Sequence, residues 1–312
     1  MATTNVTGDE KQEKLEHLFC AGVLTKGIQN QLILLSALNV FLSITAFLGN
    51  SLILVALYKE SCLHAPSKLL FRCLATTDLC VGLISEPLNV TFMMSLVNER
   101  GDICRFAVPL SILASFILCS VSLLTLTAIS VDRLLALLLG LRYRQVVTLK
   151  RTYLIVVIFW ISTIVNAAVS FWNHLITLWC GYIGIALCLV TSIFSYTKIF
   201  LTLRYHQTHV QDNVQEHQSQ TSHLNIARYR KAVSSALWLQ LTLVVCYLPF
   251  GTVDAMTTRL YSISSTSFLV RECTITLVYL NSSLNPILYC WKIREARQAV
   301  KATIIELCCS SS

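Results

Sequence analysis

Asn285-Pro286-Ile287-Leu288-Tyr289 ends the last long apolar stretch of the chain, and a basic amphipathic segment follows at once. A proline inside a membrane helix removes one backbone hydrogen bond and loosens the helix there. Asn281, Asn285 and Tyr289 surround that break with polar groups. In hydrocarbon such groups are costly and are usually kept for function. The reading of this stretch depends on whether the chain upstream also crosses a bilayer.

It reads as a membrane protein throughout. The 312 residues are 55% hydrophobic and 13% charged, against roughly 25% charged in an average soluble chain. Lipid, not a single core, can accept that much apolar surface. Charge-free runs lie between Lys26 and Lys59, Arg105 and Asp132, Lys231 and Asp254, and Glu272 and Lys292. A further span lies between Arg72 and Glu99, interrupted by Asp78 and Glu86. The run from Arg151 to Lys198 exceeds the roughly 20 residues of one span and is expected to be two helices turning near Asn173-His174. The expected fold is an all-α membrane protein: a seven-transmembrane helix bundle over 30–291, preceded by an outer tail over 1–29. A short amphipathic helix 8 and a cytoplasmic tail over 292–312 follow, with Trp291 to Lys301 basic and amphipathic as interfacial helices are.

Basic residues set the orientation. Lys59, Lys68, Arg72, Arg133, Arg142, Arg144, Lys150, Arg151, Lys198, Arg204 and the Lys/Arg set near Lys231 and Lys292 fall on one side. They outnumber Lys11, Lys14, Lys26, Arg100, Arg105, Arg259 and Arg271 on the other. The N-terminus is therefore expected outside and the C-terminus in the cytoplasm. The net charge of +8 then reflects topology and affinity for anionic membrane lipids, not nucleic-acid binding. The polar N-terminus lacks the apolar core of a signal peptide, so the first span is expected to direct insertion. Asn5-Val6-Thr7 is a glycosylation sequon on the outer tail. Asn89-Val90-Thr91 also matches but falls within the second span. The 13 cysteines show no metal-binding spacing. Cys308-Cys309, just past the amphipathic segment, suit palmitoylation.

Several motifs stand in fixed order, one per span: Gly49-Asn50; Leu74-Ala75-Thr76-Thr77-Asp78-Leu79; Asp132-Arg133-Leu134; Trp160; Tyr196 with Ile199; Cys246-Tyr247-Leu248-Pro249; and Asn285 to Tyr289. Together they resemble the rhodopsin-like class of G-protein-coupled receptors over nearly the whole chain. The resemblance implies a plasma-membrane receptor that binds an extracellular ligand and activates heterotrimeric G proteins through outward movement of the sixth helix. It implies that Asp132, Arg133, Tyr196, Tyr247, Pro249, Asn285, Pro286 and Tyr289 form the activation switch, with Arg133 released from Asp132 to meet the G protein. Leu134 departs from the family's usual tyrosine, and Tyr247 from its usual tryptophan. Arg228, Tyr229, Arg230 and Lys231 open the sixth helix without an acid to bridge Arg133, so measurable basal activity is expected.

Asp78 stands mid-span, where a charge needs polar partners. Asn281, Ser282 and Asn285 share one helical face, and Ser122 lies roughly 16 Å from Arg133 along the third helix. In the family the matching positions hold an allosteric sodium ion. The oxygen donors of Asp78, Ser122, Asn281, Ser282 and Asn285 suit a hard cation; the plainer reading is a structural hydrogen-bond cluster.

The ligand side is read from Glu86, Ser115, Tyr247, Asp254 and Tyr279. Ser115 takes the place of the aspartate found in amine receptors, which argues against a biogenic amine; peptide, lipid and other small molecules stay open. Glu86 and Asp254 suit a cationic ligand group. Their plainer readings are pairing of Glu86 with Arg100, Arg105 or Arg271, and a solvated helix end for Asp254. Cys104 lies near the family's third-helix cysteine, but the second outer loop, around Phe171 to Leu178, has none. Cys20, Cys180 and Cys273 are the remaining partners, and the sequence leaves the pairing open. Such a loop resembles the melanocortin, adenosine, cannabinoid and lysophospholipid group. No nucleophile-base arrangement suggests an enzyme. A ligand-scavenging protein of receptor fold and an ion-coupled transporter are the alternatives; the latter lacks the internal repeat transporters often show.

Overall fold

The computed structural model describes residues 20, 25, 27–59, 64–214, 241–257 and 264–292. Seven helices are named in chain order: α1 (Gln29–Lys59), α2 (Ala65–Val97), α3 (Gly101–Leu139), α4 (Leu149–Val169), α5 (His174–Val214), α6 (Leu241–Thr257) and α7 (Ser265–Lys292). No strand occurs among the described residues. Helices α1 to α5 each contain a stretch long and apolar enough to cross a membrane. The described part of α6 is shorter and apolar, and α7 carries Arg271 and Glu272 within its length.

Local chemistry explains the boundaries. Pro66 sits in the first turn of α2, where its missing N–H costs nothing. Gly140, at φ 48°, ends α3 in a conformation that suits glycine. Thr148 caps α4 by accepting from the Arg151 amide at 3.5 Å. The amide oxygen of Asn173 accepts from the Ile176 N–H at 3.2 Å and opens α5. The α4–α5 turn thus falls at the expected place and contains no cysteine.

The bundle is apolar outward and polar inward. Leu34 is 73% exposed and Phe41 62%, as befits side chains facing lipid. Asn39, Asn50, Asp78 and Asn285 are buried. Without a hydrophobic drive between spans, close approach and interhelical hydrogen bonds hold such a bundle together. A Cβ on Gly49 would meet the Pro286 ring at 2.9 Å, so this glycine lets α1 pack directly on the α7 proline. Asn50 Nδ2 donates to the Ser282 carbonyl at 3.1 Å, and Asn39 Nδ2 to Thr276 Oγ1 at 3.0 Å. Helix α3 runs through the middle against α2, α4 and α5. Leu123, Leu126 and Ile129 of α3 join Leu243, Cys246 and Tyr247 of α6 in the main apolar core.

Helix α2 is irregular. Val81–Ser85 form a π-helical turn directly before Glu86-Pro87. The proline has no N–H to return to the preceding turn, and the wider turn absorbs the gap. On the α1 side, Ser43 Oγ donates to the Gly82 carbonyl at 2.7 Å. Beyond the turn, Glu86 and Asn89 both point inward and are buried. The Asn89 sequon therefore lies inside the bundle.

Candidate functional site

Asp78 is fully buried, 0% exposed. Its Oδ1 accepts from Ser122 Oγ at 2.8 Å and Ser282 Oγ at 2.9 Å; its Oδ2 accepts from Asn285 Nδ2 at 2.7 Å. One carboxylate thus joins α2, α3 and α7 beside the Pro286 break. Asn281 is buried close by along α7 but does not bond Asp78. Asn285 Oδ1 and Asn281 Nδ2 meet no hydrogen-bond partner. An orphaned amide oxygen beside a carboxylate and two hydroxyls is a donor set that fits a small hard cation.

At the inner end, Asp132 is buried and Arg133 half-exposed. The expected tight pair between them is not found: Arg133 Nη2 lies 3.9 Å from Asp132 Oδ2, the outer limit of an ion pair. Asp132 instead accepts from Ser67 Oγ at 2.8 Å and from Tyr143 Oη at 2.6 Å. Hydroxyls that need little desolvation satisfy the carboxylate, so the guanidinium is left to rest against the Phe71 ring at 5.4 Å. Ser67 and Tyr143 were not singled out from the sequence. Tyr143 lies in a one-turn helix, Tyr143–Val146, whose position relative to Asp132 only the folded loop sets. Tyr196 is buried against Leu134 and accepts from Ser130 Oγ at 3.1 Å. The side chain of Tyr289 lies outside the described residues, as do Arg228 to Lys231, Asn5, Cys308, Cys309 and the expected helix 8 beyond Lys292.

In the outer half, the structure brings Glu86, Ser115, Tyr247 and Tyr279 around Cys119. Ser115 Oγ and Tyr279 Oη lie 2.7 Å apart. Tyr247 donates to the Cys119 carbonyl at 3.3 Å, and Pro249 lies two residues further along α6. Glu86 is within electrostatic reach of Cys119, Tyr279 and Asp78. Neither Glu86 oxygen has a hydrogen-bond partner, so the plainer reading of Glu86, pairing with Arg100, Arg105 or Arg271, is not met. Arg100 is tied to Asp102 at 3.2 Å. That hydrogen bond raises the pKa of the exposed Arg100 guanidinium still further above neutrality.

Asp254 stands apart from that group, and it is not a solvated helix end. At 8% exposed, it accepts from Tyr182 Oη at 2.9 Å and from Arg271 Nε at 3.0 Å. Arg271 also reaches Glu272 Oε1 at 3.4 Å. This network joins α5, α6 and α7 near their outer ends; Tyr182, Arg271 and Glu272 were not assigned to the site from the sequence. Among the four candidate cysteines, Cys20 and Cys104 form the disulfide. Cys180 and Cys273 are free and exposed.

Residues 49–174 match the family described as 7 transmembrane receptor (rhodopsin family). The chain is also similar to a mouse (Mus musculus) protein named Probable G-protein coupled receptor 45. The two are 24% identical over an alignment covering 85% of this chain and 80% of the relative.

Proposed function

We propose, for a chain that belongs to the rhodopsin-like family of seven-transmembrane receptors, that it sits in the plasma membrane and activates heterotrimeric G proteins when an extracellular ligand binds. The ligand enters the outer half of the bundle and meets Glu86, Ser115, Tyr247 and Tyr279. Tyr247 connects that floor to α3 through Cys119 and sits beside Pro249, where a proline lets α6 bend. Outward movement of α6 then opens the inner mouth to a G protein, and Arg133 engages it. The observation that carries this reading is the state of Arg133. Asp132 is satisfied by Ser67 and Tyr143, so Arg133 is held weakly and stands ready at the inner end.

Asp78, Ser122, Ser282 and Asn285 are the residues that would hold an allosteric sodium ion, with Asn281 beside them. Such an ion would offset the buried Asp78 charge. The Cys20–Cys104 disulfide supports an outside N-terminus, since disulfides persist on the oxidising side of the membrane. Nothing in this mechanism requires catalysis.

The test is nucleotide exchange on G proteins in cells bearing the full chain, against Arg133→Ala at matched surface level, unliganded and across a ligand library. A signal that disappears with Arg133→Ala supports the receptor reading. Silence of both forms at good surface expression would sink it and favour a ligand scavenger.

A further inference from the structure

We infer that the outer half of the bundle holds a site for an organic cation, an ammonium or guanidinium group, with the buried carboxylate of Glu86 as its counter-ion and Asn89 and Glu272 on its outer side. This deepens the receptor reading by naming the chemical class of the ligand, and it rests on that reading only for its biological meaning. Glu86 is 0% exposed, yet both of its oxygens lack a hydrogen-bond partner. Ser85 Oγ, next in sequence and also buried, is equally unpartnered. One turn further out, Asn89 lies beside Glu272 of α7. The Asn89 amide nitrogen and Glu272 Oε2 nevertheless meet no hydrogen-bond geometry.

A buried carboxylate is tolerated when it is paired and hydrogen-bonded. Asp78 shows what satisfaction looks like in this bundle: three donors on two oxygens. Glu86 receives none, so its environment is complementary to a donor that the chain itself does not supply. The nearby cation cannot serve, because Arg271 is committed to Asp254 at 3.0 Å and to the other oxygen of Glu272. Depth selects the shape of the visitor. Glu86 lies roughly 16 Å below the outer end of α2 at 1.5 Å per residue, and Glu272 roughly 10 Å below the outer end of α7. A cation carried on a slender apolar stem fits that arrangement: the charge at Glu86, the stem past Asn89. A divalent metal, which collects about six to eight oxygen ligands in the case of calcium, fits it less well, since no group of three His, Cys, Asp or Glu side chains close enough to share an ion occurs among the described residues.

Thermal unfolding of the full chain, purified in lipid nanodiscs, tests this without any G protein. The probe is n-propylguanidinium at millimolar concentration, with n-propylurea as an uncharged control of the same shape. N-acetyl-arginine amide forms a third arm that asks whether a peptide-borne cation is accepted. At about ten times its dissociation constant the cation should raise the unfolding midpoint by roughly 2–4 °C, and the urea should not. Glu86→Gln should weaken the cation at least about ten-fold, and Glu272→Gln by a few-fold. Equal protection by n-propylurea, or full protection retained in Glu86→Gln, overturns the site. If Glu86→Gln does not fold, the cation-against-urea comparison on the unmodified chain and the Glu272→Gln result still decide. Loss of signalling in Arg133→Ala is read separately, so failure of this inference and failure of the receptor reading are distinct results.

Discussion

Tyr143→Phe should lower basal G-protein activation. The hydroxyl removed donates to Asp132 Oδ1 at 2.6 Å, while Ser67 holds Oδ2 at 2.8 Å. A hydrogen bond to a charged group contributes about 1.5–3 kcal/mol. Tyr143 is only half-buried, so water replaces part of that bond and about 1 kcal/mol remains. Asp132, short of one donor, then draws on the nearest cation, the Arg133 guanidinium, now 3.9 Å from its other oxygen, Oδ2. On the proposed mechanism Arg133 leaves Asp132 in the active bundle, so tightening that pair stabilises the resting one. About 1 kcal/mol moves a two-state equilibrium roughly five-fold, so ligand-free nucleotide exchange should fall by about that factor at matched surface density. Ser67→Ala should act in the same direction. The double variant should depart from additivity, because both hydroxyls share one carboxylate. Unchanged or increased basal exchange in Tyr143→Phe would refute the idea that these hydroxyls keep Arg133 loose.

Three further outcomes are expected. Asp78→Asn should abolish any dependence of thermal stability on sodium against choline chloride, and a retained dependence would remove Asp78 from an ion site. Gly49→Ala, whose Cβ would meet Pro286 at 2.9 Å, should cost about 1–3 kcal/mol and lower surface expression; wild-type behaviour would show that α1 and α7 can part without penalty. Asp254→Asn should lower the unfolding midpoint by loosening α5, α6 and α7. It removes the charge that pairs with Arg271 at 3.0 Å and leaves a single acceptor oxygen for both Arg271 and Tyr182, which bonds at 2.9 Å, a partly buried loss of about 1–3 kcal/mol.

Periodicity and charge spacing made the spans legible, including the α4–α5 turn at Asn173, because lipid imposes length and apolarity on every crossing. The Asp78 cluster was legible as well: its partners on α7 share a helical face, and a mid-span charge demands them. What stayed hidden depends on contacts between distant elements. Nothing in the order of residues says that Tyr143, in a loop turn, folds back onto Asp132 and displaces Arg133 from it. Asp254 reads as a helix end because local sequence cannot reveal Arg271 and Tyr182 converging on it from two other helices. The pairing of Cys20 with Cys104 was open for the same reason.

The π turn in α2 explains how one helix serves both ends of the bundle. At about 100° per residue, the eleven positions from Ser67 to Asp78 leave these side chains about 20° apart, on one face. The eight positions from Asp78 to Glu86 would swing Glu86 about 80° off that face in a regular helix. A π turn absorbs one extra residue, which takes back about 100° and returns Glu86 to within about 20° of Asp78. Val81–Ser85 supply that turn, and Pro87 favours it by withholding an N–H. Three polar side chains, partner of Asp132, centre of the deep cluster and unpaired outer carboxylate, thus line the inward face of a single helix. A change that regularised the turn would rotate Glu86 toward a neighbouring helix or lipid and leave Asp78 and Ser67 in place. The outer site is therefore separable from the inner switch by backbone geometry alone.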